Sequence, residues 1–207
     1  NILTASMSTI HAVTNSQSVL DSTPKAGEKD LRKNRSILDS IILTSTNAAK
    51  ALAEVIPEVK NIGFMADSIR IPTSTMSLIV LNATFQAKGN ETVLNTKMLN
   101  DLYQKAADNN PERLIRFTME QNVPADLIGV DAAVIIEGQF NHTRTAFINL
   151  DLSHVPGLPA QVIQAFPEKL MKVPVVHAKV FGWYDNEFGS YTNRLGDLTV
   201  YIHKNIL

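Results

Sequence analysis

One run of the chain limits the fold more than any other. Met76–Gln86 (MSLIVLNATFQ) begins apolar on both faces and then alternates, with Ile79, Leu81, Ala83 and Phe85 on one side. A strand of that kind is expected at the centre of a sheet, with neighbours along both edges. Other strand signals stand before and after it: Thr9–Thr14, Ser68–Ile71, the alternation Ile115, Phe117, Met119, the short run Ala132–Ile136, the alternation Ala146, Ile148, Leu150, Leu152, and Val173–Gly182. Helical spacing is confined to fewer stretches. Residues 47–60 place Ala48, Ala49, Leu52, Val55, Ile56 and Val59 three or four apart, behind a cap drawn from Ser45, Thr46 or Asn47. Thr96–Asn109 repeats the pattern with Leu99, Leu102, Tyr103 and Ala106, and Pro111 stops it. A short helix is expected around Ala160–Phe166, and a longer one from Ser190 to Ile202 with the stripe Tyr191, Leu195, Leu198, Ile202. Strands outnumber helices, and most pair with near neighbours. The expected fold is α+β: one large, mainly antiparallel mixed sheet with helices covering one face.

Composition narrows the function. The 207 residues suit a single domain spanning 1–207. Nineteen Lys and Arg against twenty Asp and Glu leave a net charge of -1, which argues against nucleic acid as a partner. No apolar run is long enough to span a membrane, so no membrane partner is expected. There is no cysteine, hence no disulfide, no Cys-based metal site and no thiol nucleophile within the chain. The chain opens Asn1-Ile2-Leu3-Thr4 without a starting Met or a secretory signal; it reads as a piece of a longer, cytoplasmic polypeptide. Asn34, Asn82, Asn90 and Asn141 each head an N-x-S/T triplet, a weak signal alone. Residues 15–40 lose periodicity, and Lys25–Arg35 carries five positive and two negative side chains. A long, locally basic loop in a neutral domain is usually functional.

Three features carry chemistry. His11 lies within a strand, where an imidazole serves either as a satisfied core group or as a proton carrier near neutral pH. Arg70 ends a strand at Pro72, and a strand Arg facing a cleft pairs with either a structural carboxylate or a bound carboxylate or phosphate. Thr44-Ser45-Thr46-Asn47 precedes a helix, a pattern that caps the helix and equally suits an anion. Together they point to a phosphorylated substrate.

Five strings, in order, resemble the catalytic domain of glyceraldehyde-3-phosphate dehydrogenases. Ser8-Thr9-Ile10-His11-Ala12-Val13-Thr14-Asn15-Ser16-Gln17 resembles the catalytic-His segment. Lys29-Asp30-Leu31-Arg32-Lys33-Asn34-Arg35 resembles the basic part of the family's S-shaped loop, here 14–38. Thr44–Ala51 is similar to the Thr-rich turn and helix start, Ser68–Thr73 to the Arg-containing strand, and Trp183-Tyr184-Asp185-Asn186-Glu187-Phe188-Gly189 with Tyr191, Asn193 and Arg194 to the C-terminal signature. The likeness is close over 8–86 and 180–200 and only general over 87–175.

The resemblance implies a phosphorylating aldehyde dehydrogenase whose cofactor domain and nucleophilic Cys lie upstream of this chain. It implies His11 as catalytic base toward that Cys, and Thr14 and Arg70 as grips on the substrate phosphate. Thr46, Asn47 and Lys33 would serve the phosphate sites, and Asn186, Glu187 and Tyr191 the nicotinamide of NAD or NADP. Glyceraldehyde 3-phosphate and inorganic phosphate would be the small-molecule partners, and a homotetramer the assembly, with the isolated fragment inactive. Departures from the family pattern are Lys33 for Arg, Asn47 for Gly, about three extra residues near Ala26–Glu28, Ser190 within a Gly-Tyr pair, and a longer 137–175. Asn47 keeps open a hydrolytic relative of the erythrose-4-phosphate dehydrogenase type. A non-catalytic paralogue, acting as regulator or scaffold, is the alternative from another class.

Overall fold

The computed structural model describes residues 1–87, 93–166 and 168–206. Asn90, one of the four triplet asparagines, lies outside the described residues. In chain order the elements are β1 (Ile2–His11), β2 (Ile42–Thr44), α1 (Ala48–Val55), β3 (Met65–Arg70), β4 (Ser77–Gln86), α2 (Thr96–Asp108), β5 (Ile115–Thr118), α3 (Pro124–Leu127), β6 (Val134–Glu137), β7 (His142–Asp151), α4 (Ala160–Ala165), β8 (Leu170–Tyr184) and α5 (Ser190–Asn205). The strands form one mixed sheet ordered β2-β3-β1-β4-β8-β6-β5, with β7 also pairing β8. Among the described strands only β1–β3 and β5–β6 pair in parallel. The fold is the expected α+β arrangement, and β4 is central, flanked by β1 and β8.

Alternation along the strands sorts side chains onto two faces. One face is covered by the long helices. On it, Leu99 of α2 packs with Ile136, Ala178 and Val180, backed by Leu81, Phe85 and Tyr103. Further along the same face, Met7, Thr9, His11 and Ile79 front a cavity closed by α1 and α5. On the opposite face Leu127 of α3 joins Met76, Ala132 and Ile135 beside Trp183.

Local chemistry sets the helix bounds. Asn95 caps α2 by accepting from the Met98 N–H at 3.0 Å. The expected helix over 47–60 is two pieces. α1 stops at Val55, and Pro57, lacking an N–H, opens a tighter 3-10 turn over Pro57–Ile62 that Gly63 ends at φ +63°. The first strand runs Ile2–His11 rather than Thr9–Thr14: pairing with β4, and from Ser6 onward with β3, recruits polar Thr4, Ser6 and Ser8, and the strand stops at His11. The C-terminal helix forms as expected, but Tyr191, Leu195 and Leu198 of its apolar stripe are 65%, 65% and 52% exposed. Its inward anchor is Arg194, which pairs with Asp131 and Asp197.

The 14–38 loop is held by its own polar contacts. Asp21 accepts from Arg35 at 3.1 Å and from the Ser36 N–H at 2.7 Å. Glu28 accepts from Asn34 at 2.9 Å, so the Asn34 amide is already engaged. Asn141 is likewise buried and bonded, to Asn100 and the Phe181 N–H. Residues 137–175 hold β7, the connection with α4 and the start of β8; β7 and β8 pair at ten positions, from His142↔Lys179 to Asp151↔Leu170.

Candidate active site

The site grows from strand register. In the parallel β1–β3 ladder, His11 pairs with Arg70. In the antiparallel β1–β4 ladder the last pair is Ile10↔Leu78, which leaves Ser77 beside His11. In β4–β8, Ser77 pairs with Tyr184. Paired residues share a face, so Arg70, His11, Ser77 and Tyr184 form one polar row across four strands.

The row is tightly knit. Tyr184 Oη lies 3.0 Å from His11 Nδ1 and 3.1 Å from Nε2, and Ser77 Oγ lies 3.3 Å from Nδ1. Arg70 Nη1 donates to the Ala12 carbonyl at 2.8 Å, while its buried Nε has no partner among the described residues. Burial, and then the Arg70 charge, push the His11 imidazole down to about 4. Burial pushes the Tyr184 phenol up to about 12. At neutral pH both groups are uncharged.

A cavity of about 880 Å³ opens on this row. Its walls include His11 and Tyr184 from the sheet, Thr46 and Asn47 from the start of α1, Asn186 from the turn after β8, and Tyr191 and Arg194 from α5. Thr46 Oγ1 accepts from the Ala48 N–H at 3.1 Å, whereas the Asn47 side chain, at the N-cap, makes no capping bond. Asn186 is presented by its neighbour Asp185, which is 2% exposed. The Asp185 carboxylate accepts from the N–H groups of Gly129 at 2.9 Å, Glu187 at 2.8 Å and Phe188 at 3.0 Å. Burial alone would raise this carboxyl; the surrounding N–H groups outweigh it and hold it below the usual carboxylate range. Gly189 ends the turn where a Cβ would meet the Val130 carbonyl at 2.8 Å.

Five of the residues singled out in the sequence, His11, Thr46, Asn47, Asn186 and Tyr191, therefore line one cavity. Thr14 and Glu187 line a smaller neighbour of about 30 Å³, which shares Asn186. Thr14 Oγ1 donates to Gln17 Oε1 at 2.9 Å. Arg70 lies beside His11 in register and lines neither cavity. Lys33 is exposed on the 3-10 turn Leu31–Asn34 and lines neither. Ser77 carries no local sequence signal, and Tyr184 and Asp185 stand in the sequence only within a signature; strand pairing joins Ser77 and Tyr184 to His11.

The chain matches the profile of the glyceraldehyde 3-phosphate dehydrogenase C-terminal domain over residues 1–155, a match that ends just after β7. It is 33% identical over 205 residues to glyceraldehyde-3-phosphate dehydrogenase 2 of Staphylococcus epidermidis, covering 97% of this chain and 46% of that protein. It is 32% identical over 198 residues to the glyceraldehyde-3-phosphate dehydrogenase of Streptomyces coelicolor, covering 95% and 47%. With glyceraldehyde-3-phosphate dehydrogenase 1 of Bacillus subtilis the identity is 29% over 198 residues, covering 96% and 47%. The chain thus spans about half the length of the curated relatives it matches. Fold, motif order and profile agree, and the chain belongs to the glyceraldehyde-3-phosphate dehydrogenase family as a C-terminal domain.

Proposed function

We propose that this chain is the catalytic half of an NAD- or NADP-dependent, phosphorylating glyceraldehyde-3-phosphate dehydrogenase. The observation that carries the reading is the convergence of His11, Thr46, Asn47, Asn186 and Tyr191 on one cavity. The chain has no cysteine, so the thiol that attacks the aldehyde comes from the part of the protein this chain does not span. His11, neutral at pH 7, has a free nitrogen lone pair with which to take the thiol proton, return it to the oxyanion formed as the thiolate adds to the aldehyde, and take it again as the adduct is oxidised. Arg70 supplies a fixed positive charge beside it for the substrate phosphate, with Thr14 as a hydroxyl partner. Thr46 and Asn47, at the start of α1, receive the attacking inorganic phosphate. Lys33 adds charge from the 14–38 loop, the segment that meets a neighbouring subunit in a cytoplasmic homotetramer.

In this reading the cavity is also where the nicotinamide would lie. The exposed Asn186 amide offers both a donor and an acceptor, as the ring's own carboxamide requires, and the Asp185 carboxylate fixes its turn. Glu187 and Tyr191 complete that corner. When bound, the cofactor accepts the hydride. The isolated chain, lacking both thiol and dinucleotide domain, is inactive.

Asn47 favours a second reading. Its side chain makes no capping bond and lines the cavity, where it would suit a bound water, and such a water would turn the last step into hydrolysis. The test is an assay of the intact parent with glyceraldehyde 3-phosphate and NAD or NADP, with and without inorganic phosphate. Phosphate-dependent reduction is expected. Reduction indifferent to phosphate selects the hydrolytic reading, and no reduction defeats both. In the same parent, Arg70→Ala should raise KM, lower turnover and cost about 2 kcal/mol or more in kcat/KM. An unchanged KM would remove Arg70 from the substrate site.

A further inference from the structure

β7 lies at an edge of the sheet. It pairs with β8 over ten positions, and no described strand pairs with its other side. Two contacts show which backbone groups face that open side. The Thr143 N–H turns away from β8 and donates to Thr96 Oγ1 at 3.0 Å. Phe147 stands opposite Pro174, which has no N–H and whose carbonyl accepts from the Ala87 N–H at 3.0 Å, just past the end of β4. Backbone groups alternate sides along a strand, so both contacts make the odd-numbered positions of β7 the outward ones. Thr143 is taken by Thr96. The N–H and C=O groups of Thr145, Phe147 and Asn149 have no partner among the described residues.

Edge strands usually carry a defence against pairing, such as a charge, a proline, a bulge or a covering element. Thr145–Leu150 (TAFINL) holds no charged residue, no Pro and no Gly. Its register with β8 is unbroken. Phe147 is 68% exposed, and Ile148 and Leu150 are each 41% exposed.

This edge is its own complement. In a second copy placed antiparallel, with a twofold axis through Phe147, Thr145 meets Asn149 of the other copy and Phe147 meets Phe147. Each of these pairs exchanges both N–H···O=C bonds. Between them Ala146 meets Ile148, and Arg144 meets Leu150, so no like charges oppose each other. The exposed Phe147 rings come together across the axis. A shift of the axis to Ala146 or Ile148 is less favourable. It would set an open residue against Thr143, already bonded to Thr96, or against Asp151, where the chain turns into the 3-10 helix Leu152–His154.

We propose that β7 pairs edge to edge with β7 of a second copy, about a twofold axis at Phe147, and joins two sheets into one. The pairing uses neither the 14–38 loop nor any residue lining the cavity, and it does not depend on the dehydrogenase reading.

The test is sedimentation velocity of the 207-residue chain over a dilution series. Leu195→Lys with Leu198→Lys is carried in every sample to remove association through α5. A species of twice the 22.8 kDa chain mass is expected. Phe147→Pro removes an outward donor and leaves the β8 ladder intact, and Phe147→Lys sets two charges on the axis. Each should return the chain to monomer, and a thermal melt checks that each is folded. The chain has no cysteine, so introduced thiols report the register. Phe147→Cys places two Cα atoms about 5.5 Å apart across the axis and should give a disulfide-linked dimer under mild oxidation. Asn149→Cys places them more than about 10 Å apart and should not. If Phe147→Pro does not fold, Phe147→Lys and the two thiol variants still decide. A monomer at every concentration would overturn the pairing. So would a dimer that survives Phe147→Lys, or equal cross-linking by the two thiol variants.

Discussion

At the residue scale, His11 and Asp185 show how burial works in opposite directions. The His11 imidazole titrates near 4, below its usual 6.5, because burial and Arg70 disfavour its charged form. As pH falls, the unfolded chain takes the proton first. The contribution of this group to stability is therefore whole above pH 6.5 and is lost as pH falls from 6.5 toward 4. The ceiling is about 3 kcal/mol, reduced by the ring's partial exposure. Urea titrations across that window should show a steeper loss for the unmodified chain than for His11→Gln; equal slopes would refute the assignment. Asp185 is the reverse case, a buried carboxylate kept ionised by backbone donors. Asp185→Ala would leave the N–H groups of Gly129, Glu187 and Phe188 without their acceptor, at a cost of about 3 kcal/mol in the same measurement. Asp185→Asn, which keeps one oxygen, should cost less.

At the scale of elements, burial patterns decide more than propensity. Leu99 is the buried face of α2, and Leu99→Ala should cost about 2–4 kcal/mol in denaturant titration. A loss under 1 kcal/mol would mean that α2 is not docked as described. Strands and helices were largely legible because their apolar spacing is local. Met76–Gln86 read as central, and it is paired on both edges. The end of the helix over 47–60 is hidden in the sequence because six apolar positions run on past Pro57, which lacks the needed N–H. Most of the cavity lining was legible as motifs, each short and contiguous. Ser77 was not, since only the pairing of β1, β4 and β8 brings positions 11, 77 and 184 together. Nor was the strain just before it. Met76 holds φ at 63° with its side chain 3% exposed, against Leu127, Ala132 and Ile135. A non-glycine residue there costs about 1–3 kcal/mol, which the packing offsets, and the bend delivers Ser77 to His11.

At the scale of the whole molecule, α5 leaves Tyr191, Leu195, Leu198 and Tyr201 exposed beside an exposed Phe188. A stripe of that size promotes association of the chain. Leu195→Lys with Leu198→Lys should lower self-association by light scattering while leaving the melting temperature within a few degrees. A melting temperature that collapses would show the stripe to be structural. The sheet carries a different consequence. β4, β6 and β7 all lean on β8, and β8 starts at Leu170. Once Gln86 has been made, a growing chain therefore holds β1, β3 and β4 with one long edge of β4 open until Leu170 follows. The sheet closes only when β8 emerges, and until then its half-built form is a template for pairing with other nascent chains.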